Sequence, residues 1–301
     1  MELLGKTTID FIGKRNISFV ISAIISIIGL IGVVQVGRGA ANMGIDFSGG
    51  TAMQLKFSKP VDIAAARDAL HKNGVAKADL QEIKDGNKLL VKMAGAAVGK
   101  PSEMVQAAFK KEFADNAFTV ESSTEIGPSI GDKLRKDTLI AAVLSLMGII
   151  LYIAWRFDFQ FGVGATCATL HDCLAMFAVF YLLNKEINLL FITAVLTIAG
   201  YSLTDTVVVF DRIRENLHKN LKGAMNTIFN DSINEVLSRT IVTSLTVFLA
   251  AASLFFFGGE VIHDFSLALL IGVLVGTYSS VFVASPIVVI LENRALAKKA
   301  V

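Results

Sequence analysis

The chain is 301 residues long, 53% hydrophobic and 18% charged, with a mean hydropathy of +0.61. A soluble domain of average make-up is less apolar and about one-quarter charged, so this composition excludes a soluble globular protein and identifies a membrane protein. The formal net charge is only +2, so any electrostatic message lies in where the charges sit.

Residues 1–16 read as a cytosolic N-terminal segment, and the apolar run 17–36 follows Lys14 and Arg15 as a signal peptide would. At about 20 residues it exceeds the 7–15 of a cleavable signal, and no small-residue cleavage site follows, so it is expected to stay as a span. Five more runs are long enough to cross roughly 30 Å of hydrocarbon at ~1.5 Å per helical residue. They are about Thr138–Trp155, Phe161–Leu183, Leu189–Val209, Ile241–Phe257 and Phe265–Leu291, a bundle over 138–291.

Between the first two spans, residues 37–137 differ in kind. The Gly-rich "GIDFSGGT" at 44–51 lacks the Walker pattern, so Gly44, Asp46, Gly49 and Gly50 are read as a structural turn into a strand rather than a phosphate loop. Met53, Leu55 and Phe57 alternate with polar residues as a half-buried strand does. Asp62 is the expected N-cap of a helix carrying Ile63, Ala66 and Leu70, and Asn73-Gly74 its stop. A strand near Leu80–Lys84 meets the hairpin signal Asp85-Gly86, and Leu89, Val91 and Met93 alternate beyond it. Pro101 and Ser102 open a second helix, and a last strand is expected near Phe118–Ser122. The order β-α-β-β-α-β is that of the split βαβ, ferredoxin-like fold. No nucleophile and base pair stands out, and His71 beside Lys72 reads as a surface residue. A binding or mechanical role suits this module better than catalysis.

Ionisable side chains inside a spanning helix cost about 2.5–3.5 kcal/mol, so they normally face the bundle interior with a partner or a task. Asp172, after His171, stands near mid-membrane in the third span. Asp205 lies in the inner half of the fourth, roughly 24 Å from its outer end. Arg239, where the fifth span leaves the cytosol, is at a similar level, so an Asp205–Arg239 ion pair is permitted. The alternative is that Arg239 snorkels to the interface while Asp205 is neutral and bonded to Thr204 or Ser202. For His171-Asp172 a buried polar packing contact and a proton step stay equally open. Burial favours the protonated acid and a nearby guanidinium favours the anion, so a proton could be taken up and released as such a pair opens and closes.

Asp211, Arg212, Arg214 and Glu215 mark the membrane edge, and the cytosolic segment 210–238 has the apolar spacing of a helix lying in the interface. Gly272 and Gly276 form a GxxxG pair, and Pro286 is expected to kink the sixth span near its inner end. Lys and Arg concentrate at the N-terminus, at 210–239 and in the tail 292–301, whereas the short loops 184–188 and 258–264 hold only Lys185, which places both termini in the cytosol. Cys167 and Cys173 fall on different helical faces, a disulfide is implausible, and no cysteine and histidine cluster offers a metal site.

"GIDFSGGT" after the first span, "LHD" in the third, "GYSLTDTVVVFDRIREN" closing the fourth, "SRTIVTSLT" opening the fifth and "GTYSS" in the sixth resemble the SecF family, in that order and over nearly the whole chain. The resemblance implies an α-helical membrane protein of six transmembrane helices, half of an RND-type bundle, with an inserted ferredoxin-like α+β periplasmic domain. It implies a bacterial inner-membrane protein, partnered by SecD, the SecYEG translocon and YajC, that uses the proton motive force to assist late translocation and release of exported unfolded polypeptides. It places the proton-coupling acid on Asp205 and a functional arginine on Arg239; the buried polar residues themselves, not the resemblance, make His171, Asp172 and Thr204 a candidate secondary polar or proton path. No cofactor, metal or nucleic acid is implied.

Two other readings compete. A passive scaffold would use the buried charges only to hold helices together. An intramembrane hydrolase would need Asp172 and Asp205 at one depth, and the expected offset of roughly a quarter of the bilayer argues against it.

Overall fold

A computed structural model of the chain describes residues 5, 7–75, 78–83, 87–94, 101–219 and 223–299. It divides into two compact units: residues Met43–Ile140 with Ile187–Leu189, and residues Met1–Asn42, Ala141–Glu186 and Leu190–Val301.

The first of these units holds the short helix α2 (Ile45–Ser48), β1 (Gly50–Phe57), α3 (Ile63–Lys72), β2 (Ala78–Ile83), β3 (Lys88–Ala94), α4 (Pro101–Glu112) and β4 (Phe118–Ile126). The strands pair antiparallel in the order β2-β3-β1-β4, the split βαβ arrangement. Asp62 caps α3 by accepting from the Ala65 amide at 3.2 Å. Inward residues Met53, Leu55 and Phe57 of β1 and Leu89, Val91 and Met93 of β3 meet Leu70 of α3 and Val105 and Phe109 of α4. β1 begins at Gly50 and β4 runs to Ile126, both longer than the alternation predicts, because Gly50–Ala52 pair with Thr124–Ile126 through backbone hydrogen bonds in a stretch that carries no apolar alternation. The Asp85-Gly86 turn lies outside the described residues. Phe109 is fully buried and packs edge-on to Phe57 at 5.7 Å. Phe109→Ala is therefore expected to destabilise this module by about 3–5 kcal/mol, read as a lower denaturant midpoint of its own transition.

In the other unit run α1 (Arg15–Gly37), the second half of α5 (Pro128–Arg156), α6 (Phe159–Leu182), α7 (Leu189–Lys219), α8 (Met225–Phe257), α9 (Glu260–Ser279), a π-turn (Ser280–Ala284) and α10 (Ser285–Lys299). Six helical stretches among the described residues are long and apolar enough to span a membrane, α9 to α10 counting as one. Glycines set how closely they pack. A Cβ on Gly29 of α1 would stand 2.0 Å from the Leu174 carbonyl oxygen of α6, and one on Gly276 of α9 would stand 3.0 Å from Ser202 Cβ of α7.

Three expectations change. Residues 210–219 and 225–238 are not a separate interfacial helix but the continuous ends of α7 and α8. Ile213, Phe229, Ile233 and Leu237 are buried with Val209 and Phe210, so the apolar face lies on protein instead of lipid. The irregularity of the last span is a π-turn, Ser280–Ala284, lying just before Pro286 and not at it. Pro286 has no N–H to offer the carbonyl four residues back, and Ser285 Oγ donates to Ser280 O at 3.0 Å.

The third change concerns the N-terminal segment, which is tied to α8. Asn230 Oδ1 accepts from the Phe11 and Ile12 amides, both at 3.0 Å, Asn234 Oδ1 from the Ile9 amide at 3.0 Å, and Asn230 Nδ2 donates to Asp10 at 2.7 Å. Phe11 and Ile12 are buried beside this tie. The Gly13 amide, and then Asn230, hold the Asp10 carboxyl below the usual carboxylate range. A depressed acid contributes stability above its unfolded pKa and loses it as pH falls through its folded one. The 9–12 strap is therefore expected to loosen in acid, and its amides to lose hydrogen-exchange protection there; Asn230→Ala should produce the same loss at neutral pH.

Candidate functional site

Four helical elements bring polar side chains into an otherwise apolar bundle. α6 supplies His171 and Asp172, α7 supplies Ser202 and Asp205, α8 supplies Thr240, and the α9/π-turn junction supplies Ser279 and Ser280. All are buried, with Asp172 at 0% and Asp205 at 8% exposure. Helical spacing produces this: Ser202 and Asp205, three apart, share one face of α7.

Asp205 accepts from Thr240 Oγ1 at 2.9 Å through one oxygen and from Ser280 Oγ at 2.7 Å through the other. Asp172 Oδ2 accepts from Ser279 Oγ at 2.8 Å and from Ser202 Oγ, while Oδ1 faces His171 Nδ1 at 3.1 Å. Consecutive serines thus hold two different acids. Gly276 is what lets Ser202 approach. The polar set continues from Tyr201 OH to Ser244 Oγ at 3.1 Å and on to Thr277 Oγ1 at 2.7 Å.

This geometry corrects several expectations. Arg239 is exposed, and no ion pair joins it to Asp205 among the described residues. A helix turns about 100° per residue, so α8 presents Thr240 to the acid and carries Arg239 off that face. Thr204 is exposed too; its hydroxyl returns to Gly200 O at 3.1 Å, so it joins neither acid, and Ser202 serves Asp172 rather than Asp205. The acids are also closer in depth than expected. Ser202, bonded to Asp172, precedes Asp205 by three residues, about 4.5 Å of helix rise. They still share no ligand, so they form no carboxyl dyad.

In the sequence Ser279, Ser280 and Thr240 are parts of the motifs "GTYSS" and "SRTIVTSLT", with nothing local to tie them to the acids. A signal existed, in two adjacent serines inside a span that is otherwise almost wholly apolar.

Asp211 and Arg212 serve structure. Asp211 pairs with Arg156 at 2.9 Å, Arg212 with Glu215 at 2.6 Å and with Glu235 of α8, Arg214 with Asp158 at 3.5 Å, and Asn216 donates to Ser232 at 3.0 Å. The network fastens α7 to α8 and to the α5–α6 turn. The Gly-rich motif also holds residues of its own unit. Asp46 Oδ2 accepts from the Leu189 amide at 3.0 Å, and the Gly44 amide donates to Ile187 O at 3.0 Å. Gly49, at φ 68°, has no room for a Cβ, which would meet Pro128 Cα at 3.1 Å. Gly50 follows at φ 139° as β1 begins. Among the described residues no three His, Cys, Asp or Glu side chains gather as a metal site.

Residues 105–294 match the family described as "Protein export membrane protein SecD/SecF, C-terminal", and residues 41–61 match the "SecD/SecF GG Motif". A protein named Protein translocase subunit SecF from Thermodesulfovibrio yellowstonii is 52% identical over 99% of this chain and 100% of its own length. Another of that name, from Pseudomonas aeruginosa, is 36% identical over 95% of this chain and 92% of its own. The crystal structure of SecDF, a translocon-associated membrane protein from Thermus thermophilus, superposes with a TM-score of 0.81 at 35% identity. The match covers 95% of this chain but 39% of that one, so the chain spans about two-fifths of the SecDF polypeptide.

Proposed function

Because the chain belongs to the SecF family of multi-pass membrane subunits that serve bacterial protein export, we propose that it couples the proton motive force to late translocation and release of exported polypeptides. The observation that carries this reading is the setting of Asp205. It is buried where α7, α8 and the π-turn meet, and among the described residues its polar contacts are to hydroxyls, not to a cation. Hydroxyls both donate and accept, so they suit either charge state of the acid. Ser280 Oγ also lies 3.1 Å from Thr277 O, a second acceptor for its proton once Asp205 itself carries one.

Arg239 stands one residue from Thr240 on α8. A turn of α8 about its axis, with the reach of a long side chain, exchanges Thr240 for Arg239 beside the ionised acid; protonation releases it. One proton crossing the membrane carries ~2.3 kcal/mol per 100 mV, enough to shift a two-state population roughly 50-fold. The module at 37–137 then acts on the emerging polypeptide from the periplasmic side, with both termini in the cytosol of an inner-membrane complex. SecD, SecYEG and YajC are the expected partners, and the SecD sequence within the longer SecDF relative supports the first. Its relatives are named translocase subunits, and the reading needs no enzymatic step. The passive-scaffold reading is separated from it by Asp205→Asn, which a scaffold tolerates and a proton-coupled subunit does not.

A further inference from the structure

Beside Asp205 lies a second polar centre that the coupling scheme above leaves unused. Asp172 is completely buried, and His171, bonded to it, is 4% exposed. His171 Nε2 has no hydrogen-bond partner, one of three such buried side-chain atoms among the described residues. Among the described residues no lysine or arginine pairs with Asp172. On α1 no charged residue stands between Arg15 and Arg38; Tyr278, whose ring is 6.1 Å from that of His171, donates its hydroxyl to Ser18 O and meets Ser22 Oγ at 3.1 Å. Asp205 stands one turn beyond Ser202 on α7, and the Cys173 thiol is adjacent on α6. An uncompensated anion here carries a desolvation cost of several kcal/mol, so the pair needs a proton of its own for neutrality.

We propose that His171 and Asp172 form a second proton-binding site, loaded through His171 Nε2, that acts on the same turn of helix as Asp205. The proposal rests on the proton-coupled reading. A proton arriving at Nε2 of the neutral imidazole gives an imidazolium beside the Asp172 carboxylate. Passage of the Nδ1 proton to Asp172 Oδ1 leaves a neutral histidine and a neutral acid, with one proton gained and no other bond changed. Ser279 Oγ donates to Oδ2, a weaker acceptor once the acid is neutral, and has Gly276 O at 3.1 Å as its alternative, just as Ser280 has Thr277 O. Because the two serines are consecutive, loading either acid weakens a hydroxyl contact at the point where α9 gives way to the π-turn.

The test is infrared difference spectroscopy between acid and alkaline buffers on the full chain in lipid vesicles, reading the C=O stretch of protonated carboxyls. A pH-dependent band that survives in Asp205→Asn, disappears in Asp172→Asn and moves in Ser279→Ala supports the second site. A spectrum that Asp172→Asn leaves unchanged, or a band that Ser279→Ala does not move, overturns it. Should Asp172→Asn fail to fold, Ser279→Ala decides alone. None of these readings depends on export, so failure here is distinct from normal export by Asp205→Asn, which would instead overturn the coupling role of Asp205.

Discussion

Asp205→Asn is expected to abolish the proton-gradient-dependent part of export in vesicles carrying this chain with SecD, while expression and SecD binding stay at the wild-type level. Asparagine matches the acid in shape, and its amide oxygen still accepts from one hydroxyl. Of the two hydroxyls on Asp205, that of Ser280 has Thr277 O as an alternative, so the amide group meets a side chain that can turn its proton away. The fold therefore has little reason to fail. What is lost is the change of charge, and with it the roughly 50-fold bias that ~2.3 kcal/mol per proton supplies at 100 mV. Arg239→Met should give the same loss, although Arg239 is exposed and unpaired with Asp205 here, because the proposed cycle needs the guanidinium only in the ionised state. The measurement is export yield with and without an imposed gradient. Gradient-dependent export at the wild-type level in Asp205→Asn would sink the coupling role and leave the scaffold reading.

Gly29→Val is expected to be the most damaging small substitution in the bundle. Its Cβ would stand 2.0 Å from the Leu174 carbonyl oxygen, and the obstacle is the backbone of α6, which has no rotamer to change. α1 must move outward, and overpacking of this kind costs about 1–3 kcal/mol or more. In lipid no hydrophobic drive between helices makes up for lost contact. A lower melting temperature in detergent and weaker accumulation in the membrane are the expected readouts. Gly200→Ala on α7 is the matched control: nothing lies within 4 Å of a Cβ there, so it should be neutral or gain up to about 1 kcal/mol of helix propensity. Equal behaviour of the two variants would show that close α1–α6 contact is not what holds α1.

The amphipathic stretch after Val209 shows where local reading stops. Its apolar spacing is real, but spacing alone does not say whether Ile213 and Phe229 face lipid headgroups or each other. Only the pairing of α7 with α8, through Arg212 and Glu235 and through Asn216 and Ser232, decides in favour of protein. The N-terminal strap is a harder case, since Asn230 and Asn234 lie more than two hundred residues from the amides they bind. Nothing local to residues 9–12 announces a partner.

By itself the sequence determined the six spans, the inserted β-α-β-β-α-β module and the presence of acids where lipid would be. Each of these follows from periodicity or from the cost of a charge in hydrocarbon, and both are properties of a residue and its near neighbours. The tertiary structure decided which groups the acids meet. It turned Thr240 rather than Arg239 toward Asp205, sent Thr204 outward, and set Ser279 and Ser280 on different carboxylates. That choice depends on the rotation of each helix about its own axis, where one residue is worth about 100°, and helix rotation is fixed by packing against glycines and small residues on other helices.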